Sequence, residues 1–364
     1  MNRRNVLAGA GSVALVGAGA AYLGWRQMGS MDDYNASVAT SRVALAQAPD
    51  MKDFIRFATL AANSHNTQPW KFKVAPNSIQ ILPDLTRRIP VVDPDNHHIF
   101  ASLGCAAENL AIAAGARGKA GELTFTAADA GSVTFTPGRA TLSPLALFDA
   151  IPLRQTTRTD YDGRHVGASD LNLLAEAAKL AGVDVVFVTE RAQIDRVRDL
   201  ILAANTAQMA DLAFVRELKS WLRFNPREAM ASGDGLFSPL SGNPIGPSWV
   251  APTMFDWFFK TASENGKCRK QIDSSAGLAI FVSAKANPEN WILAGRACQR
   301  FALQATALGL KHAFLNQPDE VPSFRPELAA LAGLPGRRPD LLMRFGYAAA
   351  LPFSARRPVE AVLA

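Results

Sequence analysis

Two stretches of this chain read as copies of one helix. "GCAAENLAIAAGARG" (104–118) aligns without a gap on "GRACQRFALQATALG" (295–309). Gly104/Gly295, Ala106/Ala297, Ala111/Ala302, Ala114/Ala305, Ala116/Ala307 and Gly118/Gly309 coincide, and Glu108/Gln299, Leu110/Phe301 and Ile112/Leu303 are similar. Small residues spread over most of the circumference predict a helix with close neighbours on most sides. A second pair has the same character. Lys52-Asp53-Phe54 with Ala58 matches Ser169-Asp170-Leu171 with Ala175, each followed by a helical and then a strand-like pattern. A chain built this way is constrained to fold as two related halves with a shared interface.

The spacing of the two pairs locates an insertion. The first pair is 191 residues apart and the second 117, so the second copy carries about 74 extra residues between its landmarks. They fall within roughly 200–275, around "WLRFNPREAMASGDGLFSPLSGNPIGPSWVAPTMFDWFF". A long irregular segment inside a compact protein is usually a lid, a binding loop or disordered. The aromatics Trp221, Phe224, Phe237, Trp249, Phe255, Trp257, Phe258 and Phe259 argue against disorder.

The remaining pattern predicts an α+β fold, an internally duplicated pseudo-dimer with central sheets flanked by helices and a lid insertion. The first half is expected over 40–150 and the second over 151–364. In the first half the periodicity predicts a helix over 51–62, with Asp50 as N-cap and Asp53 at N3. Strands are expected near 71–74 and 78–82, a buried helix over 99–117, and strands near 123–125 and 133–135.

Composition excludes more than it assigns. The 364 residues carry a formal charge of +6 with no basic run interleaved with aromatics, which argues against nucleic-acid binding. Cys105, Cys268 and Cys298 are too few and too far apart for a zinc or iron–sulfur motif. His97-His98 is not read as a metal site, because adjacent residues diverge and no third ligand is evident. No Ser/His/Asp order and no GxGxxG loop is present, and no side chain stands out as a catalytic acid or base.

Residues 1–30 are set apart. Arg3-Arg4 precede an uncharged, Gly- and Ala-rich run from Val6 to about Leu23, and Ala18-Gly19-Ala20 offers a small-residue cleavage site. The run is a poor stop-transfer helix but could serve as an uncleaved anchor. Arg-Arg-x-Val-Leu resembles a twin-arginine export signal. That implies the twin-arginine translocase as a partner and a periplasmic or inner-membrane-anchored location, the membrane being touched only through this segment.

The two halves differ in the polar residues they keep. Between its first helix and strand the first half has "NSHNTQPW" (63–70), with Ser64, His65, Asn66 and Gln68. At that point the second half has only Lys179 to Asp184. The second half instead opens on "RQTTR" (154–158), with Arg154, Thr156 and Arg158. Guanidinium forks suit phosphate. Short donors and acceptors suit the edge of a heterocycle. An anion clamp in one half and an edge reader in the other describe a phosphorylated planar cofactor held across the interface.

These motifs carry a family resemblance over about residues 50–364. "SHNTQPWKF" resembles the flavin-binding segment of the nitroreductase superfamily, and "RQTTR" its amino-terminal arginine motif. "GRACQRFALQATALGL" is similar to its long central helix, and "RFGYAAALPFSARRPVEAVL" to its closing strand and tail. The duplicated plan with a lid resembles the twin-domain Acg-type branch. The resemblance implies FMN as cofactor. Arg154 and Arg158 would hold its phosphate, aided by Arg356 or Arg357. Ser64, Asn66 and Gln68, with Thr156 and His65 inside the motifs, would contact the rest of the flavin. Asn316 and Gln317 would approach flavin N5, where relatives often carry Glu-Gly. The implied function is FMN-dependent oxidoreduction of nitroreductase type, with hydride transfer through flavin N5 to a flat, electron-poor small molecule. The alternative is an FMN-sequestering protein whose closed lid allows little turnover. The chain is expected to be a monomer or dimer.

Overall fold

The computed structural model describes residues 27–364, so most of the segment expected to be a signal or anchor lies outside the described residues. The chain forms helices α1 (Met31–Thr40) and α2 (Met51–Thr59), then strands β1 (Trp70–Ala75) and β2 (Ser78–Pro83). Helix α3 (His97–Ala116), strands β3 (Gly121–Thr126) and β4 (Ser132–Pro137) and helix α4 (Leu145–Ala150) complete the first part. Helix α5 (Ala168–Ala178) and strand β5 (Val183–Val188) follow. Next come α6 (Arg191–Ala210), α7 (Leu212–Ser220), β6 (Leu222–Arg223), α8 (Pro226–Ser232), β7 (Leu236–Phe237), α9 (Ala251–Phe258) and α10 (Thr261–Asp273). The chain closes with β8 (Gly277–Ser283), α11 (Pro288–Ala307), β9 (Lys311–Phe314), α12 (Gln317–Glu320), α13 (Arg325–Leu331), β10 (Leu341–Gly346) and α14 (Val359–Val362).

The fold is α+β, with two four-stranded antiparallel sheets. One has the order β1-β2-β4-β3 and the other β5-β8-β10-β9. Replacing β1, β2, β3, β4 by β5, β8, β9, β10 turns one order into the other. The long helix follows the second strand of each sheet, α3 after β2 and α11 after β8. Everything from α6 to α10 lies between β5 and β8, where the other sheet has only a tight connection between β1 and β2.

Local chemistry accounts for the elements. Asp50 caps α2 by accepting the Asp53 amide at 2.8 Å. Helix α2 ends at Thr59, three residues short of the end its periodicity predicts, because the chain turns into the polar stretch that follows. Helix α3 begins at His97, two residues earlier than its pattern indicates. Its start is fixed by Asp93, whose carboxylate accepts the His98 and Ile99 amides at 3.0 and 3.2 Å.

The two long helices cross at the centre of the molecule, and the repeated glycine is what lets them. A Cβ at Gly104 would lie well under 3.0 Å from the Ile292 carbonyl oxygen, and one at Gly295 equally close to that of Ala101. Around this contact, Cys105 Sγ sits 3.1 Å from the Gly295 carbonyl oxygen. Buried Gln299 donates to Asn109 Oδ1 at 2.8 Å and accepts from the Ala62 amide at 3.2 Å. Glu108 pairs with Arg296 and Arg300, both at 2.8 Å. The amide and the acid at matched positions of the two copies thus serve one interface.

Helix α3 is long and apolar enough to cross a membrane, but 83% of its most apolar window is buried inside the protein. It is the core helix of the first sheet. Strands β8 and β10 are buried along their whole length, because both faces of the second sheet are covered. Ala279, Phe281, Met343 and Phe345 pack toward Phe301 of α11. On the other side, Leu278, Ile280, Val282 and Leu342 pack toward Ile194, Val197, Leu200 and Ile201 of α6 and Leu328 of α13. Fully burying each such side chain stabilises by about 1.5–3 kcal/mol. The carboxyl terminus runs back to the first sheet, where Leu363 bridges Phe72 and the Ala364 amide donates to the Phe72 carbonyl at 2.9 Å.

The helix crossing makes a direct prediction. Gly104→Ala and Gly295→Ala should each lower unfolding free energy by about 1–3 kcal/mol or more, through overlap with backbone that cannot move independently. Gly115→Ala on the same helix, where a Cβ would meet only the flexible Leu142 side chain at 3.4 Å, should be neutral or stabilising by up to about 1 kcal/mol. Chemical denaturation of the three variants distinguishes a backbone crossing from a general intolerance of the helix.

Candidate functional site

The stretch from Asn63 to Gln68 is strained. His65, Asn66 and Gln68 have φ of 47°, 54° and 51°. Non-glycine residues rarely occupy this left-handed region, and clusters of such residues persist only where their surroundings hold them. Here they are held by hydrogen bonds. Asn63 Oδ1 accepts the Gln68 amide at 2.9 Å. The Asn66 side chain donates to the carbonyls of Gly235 and Ala355, both at 3.1 Å, and accepts from Arg356 at 2.8 Å. Gln68 donates to the Gly233 carbonyl at 2.8 Å and accepts the Arg357 amide at 2.9 Å. Asn66 and Gln68 therefore tie together the insertion and the carboxyl-terminal tail, and do not line the cleft beside them.

That cleft has a volume of about 290 Å³ and lies where both halves and the insertion meet. Of the residues expected to hold the flavin, it gathers Ser64, His65, Arg158, Asn316 and Gln317. Gln317 Oε1 is buried without a partner. Asn316 Oδ1 is used to accept the Leu342 amide at 2.9 Å. The insertion contributes Asn205, Gln208, Phe214, Leu218, Phe259 and Glu264 to the same wall. The sequence pattern marked Phe259 only as one of many aromatics. It gave no sign of Asn205 and Gln208, which sit three residues apart on α6.

Arg154 and Arg158 do not form one clamp. Arg158 reaches the cleft, while Arg154 is buried behind it and donates to the Leu60 carbonyl at 3.0 Å. Arg154 there joins Arg42 and Arg356 around the carboxyl end of α2. Arg356 donates to Thr59 O at 2.7 Å and to Leu60 O and Ala61 O at 3.3 Å. Among the described residues none of these three arginines has a carboxylate within ion-pair distance. Arg42 Nε and Arg154 Nε and Nη1 are buried without a partner. Burial, reinforced by mutual repulsion with Arg154, pulls Arg356 down to about 9. Burial and its two arginine neighbours pull Arg42 well below its ordinary value. Thr156 is elsewhere, bridged to His312 in the second sheet. Arg357 lies near Asp84 and donates to the Ala361 carbonyl at 2.7 Å. Arg154 and Arg158, expected together, thus lie apart, and Arg154 clusters instead with Arg356 and with Arg42, which the sequence left unmarked.

One wall of the cleft is strongly titratable. Burial lowers His65 to about 4 against the opposing pull of Glu320, so its imidazole is neutral. Burial would also lower His98, but Glu320 and Asp93 outweigh it and raise His98 to about 9. Glu320 Oε1 lies 3.4 Å from His98 Nε2. Burial lowers Arg158 to about 10. The cleft thus presents a cationic guanidinium, a charged imidazole–carboxylate pair and a neutral imidazole. His97 and His98 both sit on the first turn of α3, and their ring nitrogens and an Asp319 oxygen of α12 lie within 4.8 Å of one another.

No family model matches the chain. Proteins of two Mycobacterium tuberculosis strains, provisionally named NAD(P)H nitroreductases, are 25% identical over 329 residues, covering 87% of this chain and 91% of theirs. Among solved structures, a nitroreductase with bound FMN from Desulfitobacterium hafniense shares 14% identity. It covers 58% of this chain and 94% of its own, with a TM-score of 0.37. The FMN-dependent nitroreductase NfnB from Mycobacterium smegmatis, in complex with NADPH, also shares 14% identity, covering 56% and 88%, with a TM-score of 0.39. These partial overlaps carry none of the argument.

The neutral His65 makes stability pH-dependent. Its folded pKa of about 4 lies below the unfolded value near 6.5. Its contribution is present above about pH 6.5 and lost as pH falls through about 4. His65→Asn, which keeps a residue tolerant of the left-handed backbone, should reduce proton uptake on acid unfolding by up to about one proton between those limits. Chemical denaturation at a series of pH values reads this; an unchanged slope would show His65 to be solvated.

The sequence similarity to the mycobacterial proteins, extending over nearly the whole length of both chains, supports a place for this chain in the nitroreductase superfamily.

Proposed function

We propose that the protein is an FMN-dependent oxidoreductase of nitroreductase type. The observation that carries this reading is the buried cluster of Arg42, Arg154 and Arg356, with no carboxylate within ion-pair distance and with Arg42 Nε and Arg154 Nε and Nη1 left unpartnered. Buried cations without counter-charge are costly, and a phosphate fits what is missing. Cys105, which lines the cleft, packs on the central helix crossing.

FMN, if bound, would supply the redox chemistry, carrying a hydride to an electron-poor acceptor. The chain's own groups bind and orient. Arg154, Arg42 and Arg356 would hold the phosphate. Ser64, Gln317 and Arg158 present donors to the ring and its substituents. Arg158 also favours negative charge in the cleft, as does any fixed cation beside a reduced ring system. His98 carries a proton at its ring within the cleft wall. Phe214, Leu218 and Phe259 exclude water from the side of the insertion.

The duplicated plan suits the twin-domain Acg-type branch, with halves at 40–150 and 151–364. Export by a twin-arginine route rests on the motif at Arg3-Arg4 and on nothing in residues 27–364. The aromatic wall from the insertion favours the second reading, FMN sequestration with little turnover. Anaerobic titration of the purified yellow protein distinguishes the two. Oxidoreduction predicts flavin bleaching by NADPH or NADH and reoxidation by a nitroaromatic or quinone. Bleaching by dithionite alone supports sequestration, and a protein that neither retains nor takes up flavin overturns both.

A further inference from the structure

Beneath the cleft, His97, His98 and Asp319 converge in a way that neither packing nor hydrogen bonding explains. All three side chains are buried, and their potential donor atoms lie within 4.8 Å of one another. Asp319 Oδ2 is 3.7 Å from His97 Nδ1 and 3.8 Å from His98 Nε2. These separations are too long for hydrogen bonds, which need about 2.7–3.2 Å. Both Asp319 oxygens are in fact buried without a hydrogen-bond partner, at 1% side-chain exposure. A buried carboxyl group with neither oxygen hydrogen-bonded is disfavoured.

We infer that His97, His98 and Asp319 form a binding site for a zinc-type divalent cation, with Glu320 beside His98. Ligands at about 2.0–2.1 Å in a tetrahedron stand roughly 3.3 Å apart. The Asp319 oxygen stands 3.7 and 3.8 Å from the two imidazole nitrogens, in a set spanning at most 4.8 Å, so a bound ion would draw the donors together by up to about 1.5 Å. The donor set of two imidazoles and a carboxylate suits zinc or cobalt over magnesium or calcium.

The surroundings are those of a metal centre. His97 places its other ring nitrogen 3.1 Å from Asp340 Oδ1, and Asp340 in turn accepts the Ser283 amide. A carboxylate behind a ligating imidazole fixes its tautomer and orientation. Gln208 donates to Glu320 Oε2 at 2.6 Å and holds that carboxylate in place. Arg325 and Arg338 each stand 3.9 Å from Asp319 Oδ1, too far to hydrogen-bond it. His98 and Glu320 also line the cleft, so the ion would brace its wall and be reachable from it.

The test uses the tag-free full chain, stripped with chelator and titrated with Co(II). One equivalent should bind and give the intense visible bands of tetrahedral cobalt, and Zn(II) should displace it. His98→Asn and Asp319→Asn should abolish the bands, and Asp340→Asn should weaken binding about 10–100-fold. His165→Asn, an exposed histidine, should leave binding unchanged. Circular dichroism confirms that each variant is folded, and Asp340→Asn, outside the donor set, reports even if a ligand variant is not. Wild-type protein that binds no Co(II) or Zn(II) saturably, or His98→Asn protein that binds as tightly as wild type, overturns the site.

Discussion

The close crossing of α3 and α11 at Gly104 and Gly295 is the contact on which the rest of the molecule depends. Each glycine meets the other helix's backbone at a distance no side chain permits. The first sheet packs against α3 and the second against α11, so the crossing joins the two. It also places the carboxyl end of α2, through Gln299 and the Ala62 amide, against the second half. The cleft opens along that seam, so residues from both copies of the repeat reach it without either copy enclosing it.

The two copies then diverge by what is attached to them. In the first, Asn63 to Gln68 replaces a plain helix stop with three left-handed residues. Their strain is held by bonds to Gly233 and Gly235 of the insertion and to Ala355 and Arg357 of the tail. The stretch is therefore a clasp as much as a binding edge. In the second copy the insertion from α6 to α10 covers the outer face of its sheet and lends Phe214, Leu218 and Phe259 to the cleft. One segment thus completes a hydrophobic core and roofs a polar site.

Much of this was legible in the sequence, for identifiable reasons. The repeat carries its glycines because backbone contact allows nothing else, so the central helix of each half could be read from spacing. Strand positions followed from alternation, and the extra residues of the second copy from unequal offsets. The site was legible only in part. Ser64, His65, Arg158, Asn316 and Gln317 converge, but Asn66 and Gln68 turn to the protein's own carbonyls, a choice set by backbone torsions that composition does not encode. Arg42 was invisible, since a lone arginine before α2 looks like surface charge until the chain brings it beside Arg154 and Arg356. The approach of Asp319 to His97 and His98 was invisible too, since it comes from a turn more than 200 residues away.

The account stands or falls on whether the buried arginines meet a phosphate. Arg42 Nε and Arg154 Nε and Nη1 are buried and unpartnered, and a phosphate there would be held by charge-assisted bonds worth about 1.5–3 kcal/mol each. Equilibrium titration of flavin-free protein with FMN and with riboflavin, followed by quenching of flavin fluorescence, isolates that term, because the two ligands differ only in the phosphate. The account predicts FMN binding at least about 100-fold tighter than riboflavin, and the difference collapsing in Arg154→Gln. Equal affinity for the two ligands would contradict it.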